Sequence, residues 1–382
     1  MQQTAKRIII FGIILLGFSF FIADSPATGP TYIRVAVIQD ADSVNLKVYG
    51  FYELINTAEN KVILRAKNLK ATVTVSASGI NLGGTSYQVA KLFIKTNEGG
   101  VIILNNRRFR GNLHLIRKDN QRLLVVNSIE LEDYLKGILY HEVSHYWPRE
   151  VLKAQAVVSR TYALYQMQEN VAKDYDVTSD IYSQVYGGMT SERYRTNRAV
   201  KQTKGEVLVY RGRIFPAYFH ATCAGHTEDA AALWNIDMVP LEGVPCNFCK
   251  GSPHFKWHYV LSLDELKQKL AKSGYNISDI KDIVILNRNP SGRIQDIRIS
   301  SENKDQKISA KDFRNIIGPN LLRSTNFGVS IINHDAVFEG IGWGHGVGMC
   351  QWGAYFMAKH SQNYKEILKY YYPGSDVKTF GF

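Results

Sequence analysis

From Tyr32 to about Leu104, apolar and polar residues alternate in short runs, among them Ile33-Arg34-Val35-Ala36-Val37, Val62-Ile63-Leu64 and Ala71-Thr72-Val73-Thr74-Val75. Turns rich in Gly, Asn and Ser, such as Asn81-Leu82-Gly83-Gly84, separate them. A period of two broken by turn residues predicts strands, so this stretch reads as a β-rich module. Leu113 to Ile116 and Leu123 to Val126 flank the polar turn Asp119-Asn120 and predict a hairpin. The period then changes. Ile129 to Leu139 reads as a short helix with Leu131, Leu135 and Ile138 on one face. Tyr140 to Trp147 breaks it, and Pro148 stands where a new helix begins. That helix runs to about Asn170, with Val151, Val158, Tyr162 and Tyr165 at helical spacing. Its centre, Ala154-Gln155-Ala156, is built largely of small residues and implies close packing; Gln155 and Arg160 therefore need partners if buried. Strands are expected around Glu206 to Tyr210 and Phe215 to His220. A charged segment lies near Asp264 to Lys272 and a Gly-rich stretch at Gly340 to Gly353. A short helix, Tyr364 to Tyr371, is stopped by Pro373-Gly374. The fold class is α+β: a β-rich N-terminal module (32–105), then a mixed α/β domain (108–382) around a long central helix.

Composition adds a partner class. The formal charge is +12, spread along the chain, which favours a polyanion: nucleic acid, an anionic membrane surface or an acidic wall polymer. The N-terminus chooses among these. Lys6 and Arg7 precede an apolar run, Ile8 to Ala23, and Asp24-Ser25-Pro26 follows. Residues 1–27 read as a secretory signal peptide or an N-terminal membrane anchor. The run is somewhat short of the roughly 20 residues of a spanning helix. An exported chain with no nucleic-acid motif disfavours nucleic acid and favours the wall.

Three constellations carry chemistry. Glu142 lies in Tyr140-His141-Glu142-Val143-Ser144-His145-Tyr146-Trp147, where aromatic neighbours are expected to desolvate its carboxyl and keep it protonated as a general acid. The plainer alternative is a helix-end Glu paired with Arg149 or Lys153. Trp343-Gly344-His345-Gly346-Val347-Gly348 has too much Gly for a helix and reads as a tight loop; it lacks the Lys and spacing of a phosphate loop. The four cysteines are 223, 246, 249 and 350. Cys246-Asn247-Phe248-Cys249 with Cys223 and His226 suits a structural zinc site, with His220 or His254 as substitutes for the histidine. A disulfide within the CxxC is the alternative, and it leaves Cys223 unpaired.

The motifs resemble a known family. Leu131-Glu132-Asp133-Tyr134-Leu135-Lys136-Gly137-Ile138-Leu139, then Glu142, Trp147-Pro148, Leu152-Lys153-Ala154-Gln155-Ala156-Val157 and Arg160-Thr161-Tyr162-Ala163, look like the signature of the SpoIID/LytB family. Gly342 to Met349 with Gln351-Trp352-Gly353-Ala354 resembles its second signature, and Gln184-Val185-Tyr186-Gly187-Gly188 is a weaker third. The likeness covers roughly Arg108 to Val377. Cys350 stands where the family often has Ser, a change conservative in size.

The resemblance implies a SpoIID-type catalytic domain that acts on peptidoglycan in wall remodelling or division. It implies a lytic transglycosylase that cleaves between N-acetylmuramic acid and N-acetylglucosamine, leaving 1,6-anhydro ends and needing no cofactor. Glu142 matches the catalytic glutamate. Tyr146, Trp147, Gln155, Arg160, Gln184, His345 and Gln351 become the expected glycan-binding residues, with His345 and Gln351 equally readable as internal struts. The implied partners are glycan strands freed of stem peptides and a wall amidase. Some sporulation members bind zinc just before the Gln-Val-Tyr segment; Tyr175 to Ser183 has no such ligands, so that site does not carry over. The alternative function is a non-catalytic glycan binder that enhances an amidase.

Overall fold

The structure, a computed structural model, describes residues 31–119, 121–180, 183–302 and 304–381. The apolar segment Ile8 to Ala23 and Asn120 of the expected turn lie outside the described residues. No helix among the described residues is long and apolar enough to cross a membrane. The fold is mixed α and β.

The alternating N-terminal runs form a large sheet. Its main path runs Val177–Thr178, Tyr32–Ala41, Leu123–Glu130, Asn112–Arg117, Lys91–Thr96, Ser43–Asn56, Lys61–Ser76, Gly79–Leu82 and Thr85–Tyr87. All neighbours along it are antiparallel except Val177–Thr178, which runs parallel to Tyr32–Ala41. The expected hairpin forms, with Leu123 opposite Arg117 and Val126 opposite His114. Alternation sets the facing: Val44, Leu46, Val48 and Leu54 of one strand point inward and are buried. Each such side chain contributes roughly 1.5–3 kcal/mol of burial. The boundary expected near residues 105–108 falls inside this sheet, and its core continues into the first helices.

Eight helices occur among the described residues. They are α1 (Leu131–Glu142), α2 (Arg149–Glu169), α3 (Tyr194–Gln202), α4 (Ala230–Trp234), α5 (Leu263–Lys272), α6 (Ala310–Ile317), α7 (Gln351–Lys359) and α8 (Tyr364–Tyr371). α2 is the central helix, buried nearly all round from Val151 to Leu164. The small side chains of Ala154, Ala156 and Ala163 let its neighbours approach closely. Local chemistry sets the ends of others. Ser262 and Ser309 cap α5 and α6, and Asn363 with Glu366 forms a capping box on α8.

A third packing centre was not visible in the periodicity. Strands Lys256–Ser262, Phe327–Ile332 and Asp335–Ile341 form one small sheet, and Asp282–Arg288, Ile294–Ser300 and Gln306–Ser309 form another. With α5 and α6 they bury their own core around Leu266, Ile297, Phe313 and Phe338. This unit sits in the chain between α4 and the Gly-rich loop.

Candidate active site

Glu142 is the last residue of α1, whereas periodicity had ended the helix at Leu139. Tyr140 and His141 carry the helix on. Tyr140 is held by the Arg193 guanidinium 4.2 Å over its ring, and the chain turns extended only at Val143. The carboxyl opens into a cleft of about 520 Å³. The cleft is lined by Glu142, Ser183 and Val185, and by Tyr162 of α2 and Gln351 of α7. Tyr218 to Ala221 with Trp234 and Trp343 to His345 also line it, as do residues of the third unit that include Lys311, Arg314 and Asn315. A roomier depression of about 850 Å³, lined by Lys136, Arg198 and Lys201 among others, does not include Glu142.

Glu142 is the sole acidic residue among the described residues that line the cleft. Burial lifts its pKa to about 8, opposed by a hydrogen bond from the Val185 backbone N–H. Its place at a helix C-terminus, where the carbonyl ends are partially negative, acts in the same direction as burial. The expected alternative pairing is not made. Lys153 binds Glu150 at 2.8 Å instead, and Glu142 has no ion pair among the described residues.

Distant residues, not its chain neighbours, provide the aromatic surroundings. Tyr218 packs on Trp234 with centroids 4.5 Å apart, Trp234 on His345 at 5.1 Å, and Tyr162 on Tyr218 at 5.9 Å. Tyr146, expected beside the substrate, is 76% exposed and stacks on His145. Trp147 packs against Trp352 and Tyr355. Neither lines the cleft. Tyr218 and Trp234 were missed because nothing local in their segments sets them apart, and Tyr162, although inside the signature, was read only for its helical spacing. The parallel pairing of Phe219–His220 with Met349–Cys350 brings Tyr218, next to that strand, to the loop.

The other expected residues divide. Arg160 is fully buried, and its guanidinium clasps Glu132 through two bonds of 2.8 and 2.9 Å and donates to Glu206 O at 2.9 Å. It is a strut between α1 and α2, out of reach of a ligand. Gln155 donates to Ser159 Oγ and accepts from Gln351 Nε2 at 3.3 Å, so it holds Gln351 from behind. Gln184 accepts from Tyr134 Oη at 3.0 Å, and its Nε2 has no partner among the described residues. The Gln-Val-Tyr-Gly-Gly segment is anchored by Tyr186, buried against Tyr134 and Phe109 with its hydroxyl on Asn127. Gly137 makes room for it: a Cβ there would stand 2.5 Å from the Tyr186 ring. That anchoring presents the Val185 N–H to Glu142.

His345 lies in the cleft wall. Its Nδ1 accepts the Val347 N–H at 3.1 Å, and the Phe219 backbone also bonds the ring. Burial, then the charges of Arg314 and Arg293, push it down to about 3, so it stays neutral. It is a fixed ring face more than a free donor. Gly344 is required beside it, with φ of +107° and a would-be Cβ 2.8 Å from His220 Cβ. His220, weighed only as a zinc substitute, instead lines the cleft. Its Nδ1 donates to Val347 O at 3.1 Å, which leaves Nε2 as a buried acceptor with no partner among the described residues. The signal was present in the sequence: a His at the end of a strand-like run.

The structure does not bring together all four residues expected as metal ligands. Cys223, Cys246 and Cys249 come together with Cys350, and His226 is not among them. The His226 Nδ1 lies 2.6 Å from its neighbour Thr227 O, on the strand pair Gly225–His226 with Pro245–Cys246. His254 packs its ring edge on Trp343.

Comparison with known proteins follows the same lines. A family model described as Stage II sporulation protein, SpoIID, matches residues 119–210, which include Glu142, Gln155, Arg160 and Gln184. A protein of Brachyspira hyodysenteriae named only as uncharacterized is 35% identical over 350 residues, 91% of this chain and 93% of its own. The Stage II sporulation protein D of Bacillus amyloliquefaciens is 30% identical over 267 residues, 66% of this chain and 75% of its own. The chain belongs to the SpoIID family. The amidase enhancer of Bacillus subtilis is 28% identical over 64% of this chain, which spans 40% of that protein's length. A second model, described as a domain of unknown function, matches residues 247–348. That match covers the third unit of this SpoIID member and the loop that carries His345.

Proposed function

We propose that this chain is a peptidoglycan lytic transglycosylase with Glu142 as both acid and base. The SpoIID membership points to a cell-wall function at the coarser level. One observation carries the finer reading: a lone carboxyl, raised to about 8, in a cleft walled by aromatic rings. Glycosidases that hydrolyse need a second carboxylate to attack or to activate water. A single acid suffices when the nucleophile belongs to the substrate.

In this reading Glu142 gives its proton to the oxygen between N-acetylmuramic acid and N-acetylglucosamine, and the bond from C1 to that oxygen breaks. The carboxylate then takes the proton of the same sugar's C6 hydroxyl, whose oxygen bonds to C1. The products are a 1,6-anhydro end and a free hydroxyl, and Glu142 is protonated again. The attack is intramolecular, so holding the sugar in place supplies much of the acceleration. Trp234 and Tyr218 offer ring faces to sugars, and Lys311 offers a cation to the lactyl carboxylate.

Export of the chain to the periplasmic or wall-facing side, with the Ile8 to Ala23 segment as signal or anchor, belongs to the same proposal. So do peptide-free strands as substrate and a wall amidase as partner. The relative named amidase enhancer supports a second reading, in which the cleft grips glycan and stimulates that amidase without cutting. The test is to incubate the protein and its Glu142→Gln variant with peptide-free glycan strands and look for anhydro ends by mass spectrometry. Anhydro product from the unaltered protein alone is expected. Retained binding with no such product from either protein favours the second reading.

A further inference from the structure

We propose that Cys223, Cys246, Cys249 and Cys350 bind one zinc ion as a tetrathiolate that braces the wall of the cleft from behind. The four Sγ atoms lie within 4.8 Å of one another, and Cys223 and Cys249 are 3.5 Å apart. A tetrahedral ion with Zn–S bonds of about 2.3 Å sets its sulfurs about 3.8 Å apart, which this cluster matches. A two-iron cluster spreads its thiolates wider. None of the four is in a disulfide, and all are buried.

The surroundings fit anionic sulfur. The backbone N–H groups of Cys223 and Gly353 each reach Cys350 Sγ at 3.3 Å, and Tyr371 Oη is 3.1 Å from Cys246 Sγ. Donors of this kind around metal thiolates orient the ligands and spread their charge. Zinc with four thiolates carries a net charge of −2, and a buried cation stands beside it. Arg293 is fully buried, makes no ion pair among the described residues, and points its guanidinium at Cys223 O with two contacts of 3.3 Å. Its Nε has no hydrogen-bond partner among the described residues. A buried guanidinium is costly unless negative charge is close; buried Glu228 supplies part of it, and the thiolates of the loaded cluster would add to it.

The ligands come from three separate places. Cys223 follows the strand that carries His220, Cys246 and Cys249 lie in the turn after Pro245, and Cys350 directly precedes Gln351 and caps α7. Zinc would therefore lock together the two sides of the Phe219–His220 and Met349–Cys350 pairing, which holds His220 and Gln351 in the cleft. Four protein ligands leave no open coordination position, so the role is structural. On binding, the thiols lose their protons to solvent. The inference does not depend on the glycan reading.

The test uses the full chain purified without chelator. Elemental analysis should give one zinc per chain, and X-ray absorption at the zinc edge should show four sulfurs at about 2.3 Å with no nitrogen shell. Replacing Cys350→Ser should convert this to three sulfurs and one lighter atom or lower the zinc content, while His226→Ala should leave the spectrum unchanged. Only trace zinc with a Cys246–Cys249 disulfide seen by mass would overturn the proposal. A sulfur–nitrogen shell that disappears in His226→Ala would overturn the assignment of Cys350. The unaltered protein's spectrum decides the matter even if Cys350→Ser fails to fold.

Discussion

The two ends of α1 carry the same side chain in opposite circumstances. Glu132, in the first turn, is clasped by the Arg160 guanidinium through both oxygens and also accepts the Gly205 N–H. Glu142, in the last turn, has one backbone N–H, no ion pair among the described residues and a cleft in front of it. The helix favours a negative charge at the first end and opposes it at the second. Ten residues apart, one carboxylate holds helices together and the other is kept as an acid. A buried charge that is paired serves structure, and one left unpaired near its neutral form is available for proton transfer.

The comparison is broken most severely at the cleft end. Glu142→Gln should lower the rate of anhydro-end formation by about 10²–10⁴-fold, the usual worth of a general acid, with the thermal midpoint retained. At the other end, Arg160→Leu leaves Glu132 buried without its partner. It should cost about 3–5 kcal/mol in denaturant unfolding, through stability and not through the chemical step. Loss of activity with unchanged stability in that variant would mean that Arg160 reaches the substrate after all.

Proton linkage sharpens the contrast. The folded chain holds the Glu142 proton up to about 8, while the unfolded chain releases it near the ordinary 4.5. The native state therefore binds more protons between these values. The contribution of this group is fully present below about 4.5 and is lost as pH rises towards 8. Stability should fall across that window in the unaltered protein, and the fall should shrink in Glu142→Gln. Activity should decline as pH passes 8, because the acid is then ionised. The smallest effect is expected at the wall: Trp234→Ala should weaken glycan binding about tenfold, seen in KM more than in kcat, from one lost stacking face.

Features with a local cause were legible in the sequence. Pro148 begins α2, Pro373-Gly374 follows α8, and alternation marked the N-terminal strands. Gln155 and Arg160 were expected to need partners because a helix built of small residues buries what lies on it, and both have them. Glu142 stood out through its motif, not through its chemistry, because the rings that line its cleft, Tyr162, Tyr218 and Trp234, are 20 and more residues away. Tyr146 and Trp147, adjacent in sequence, point elsewhere since the chain leaves α1 extended at Val143. Cys350 was passed over as a size-matched change, and only the pairing of its strand with Phe219–His220 brings its sulfur to the other three. The third unit was not read as a core because, although three of its four strand pairings are local hairpins, the pairing that closes it, Lys256–Ser262 with Asp335–Ile341, joins distant segments.

The central claim is that Glu142 keeps its proton at neutral pH. Infrared difference spectra between the unaltered protein and Glu142→Gln, recorded from pH 5 to 10, follow that single carboxyl directly. The carbonyl band of a protonated acid should persist at pH 7 and give way to the carboxylate band with a midpoint near 8. A midpoint near the ordinary 4.5, with only carboxylate at pH 7, would contradict it.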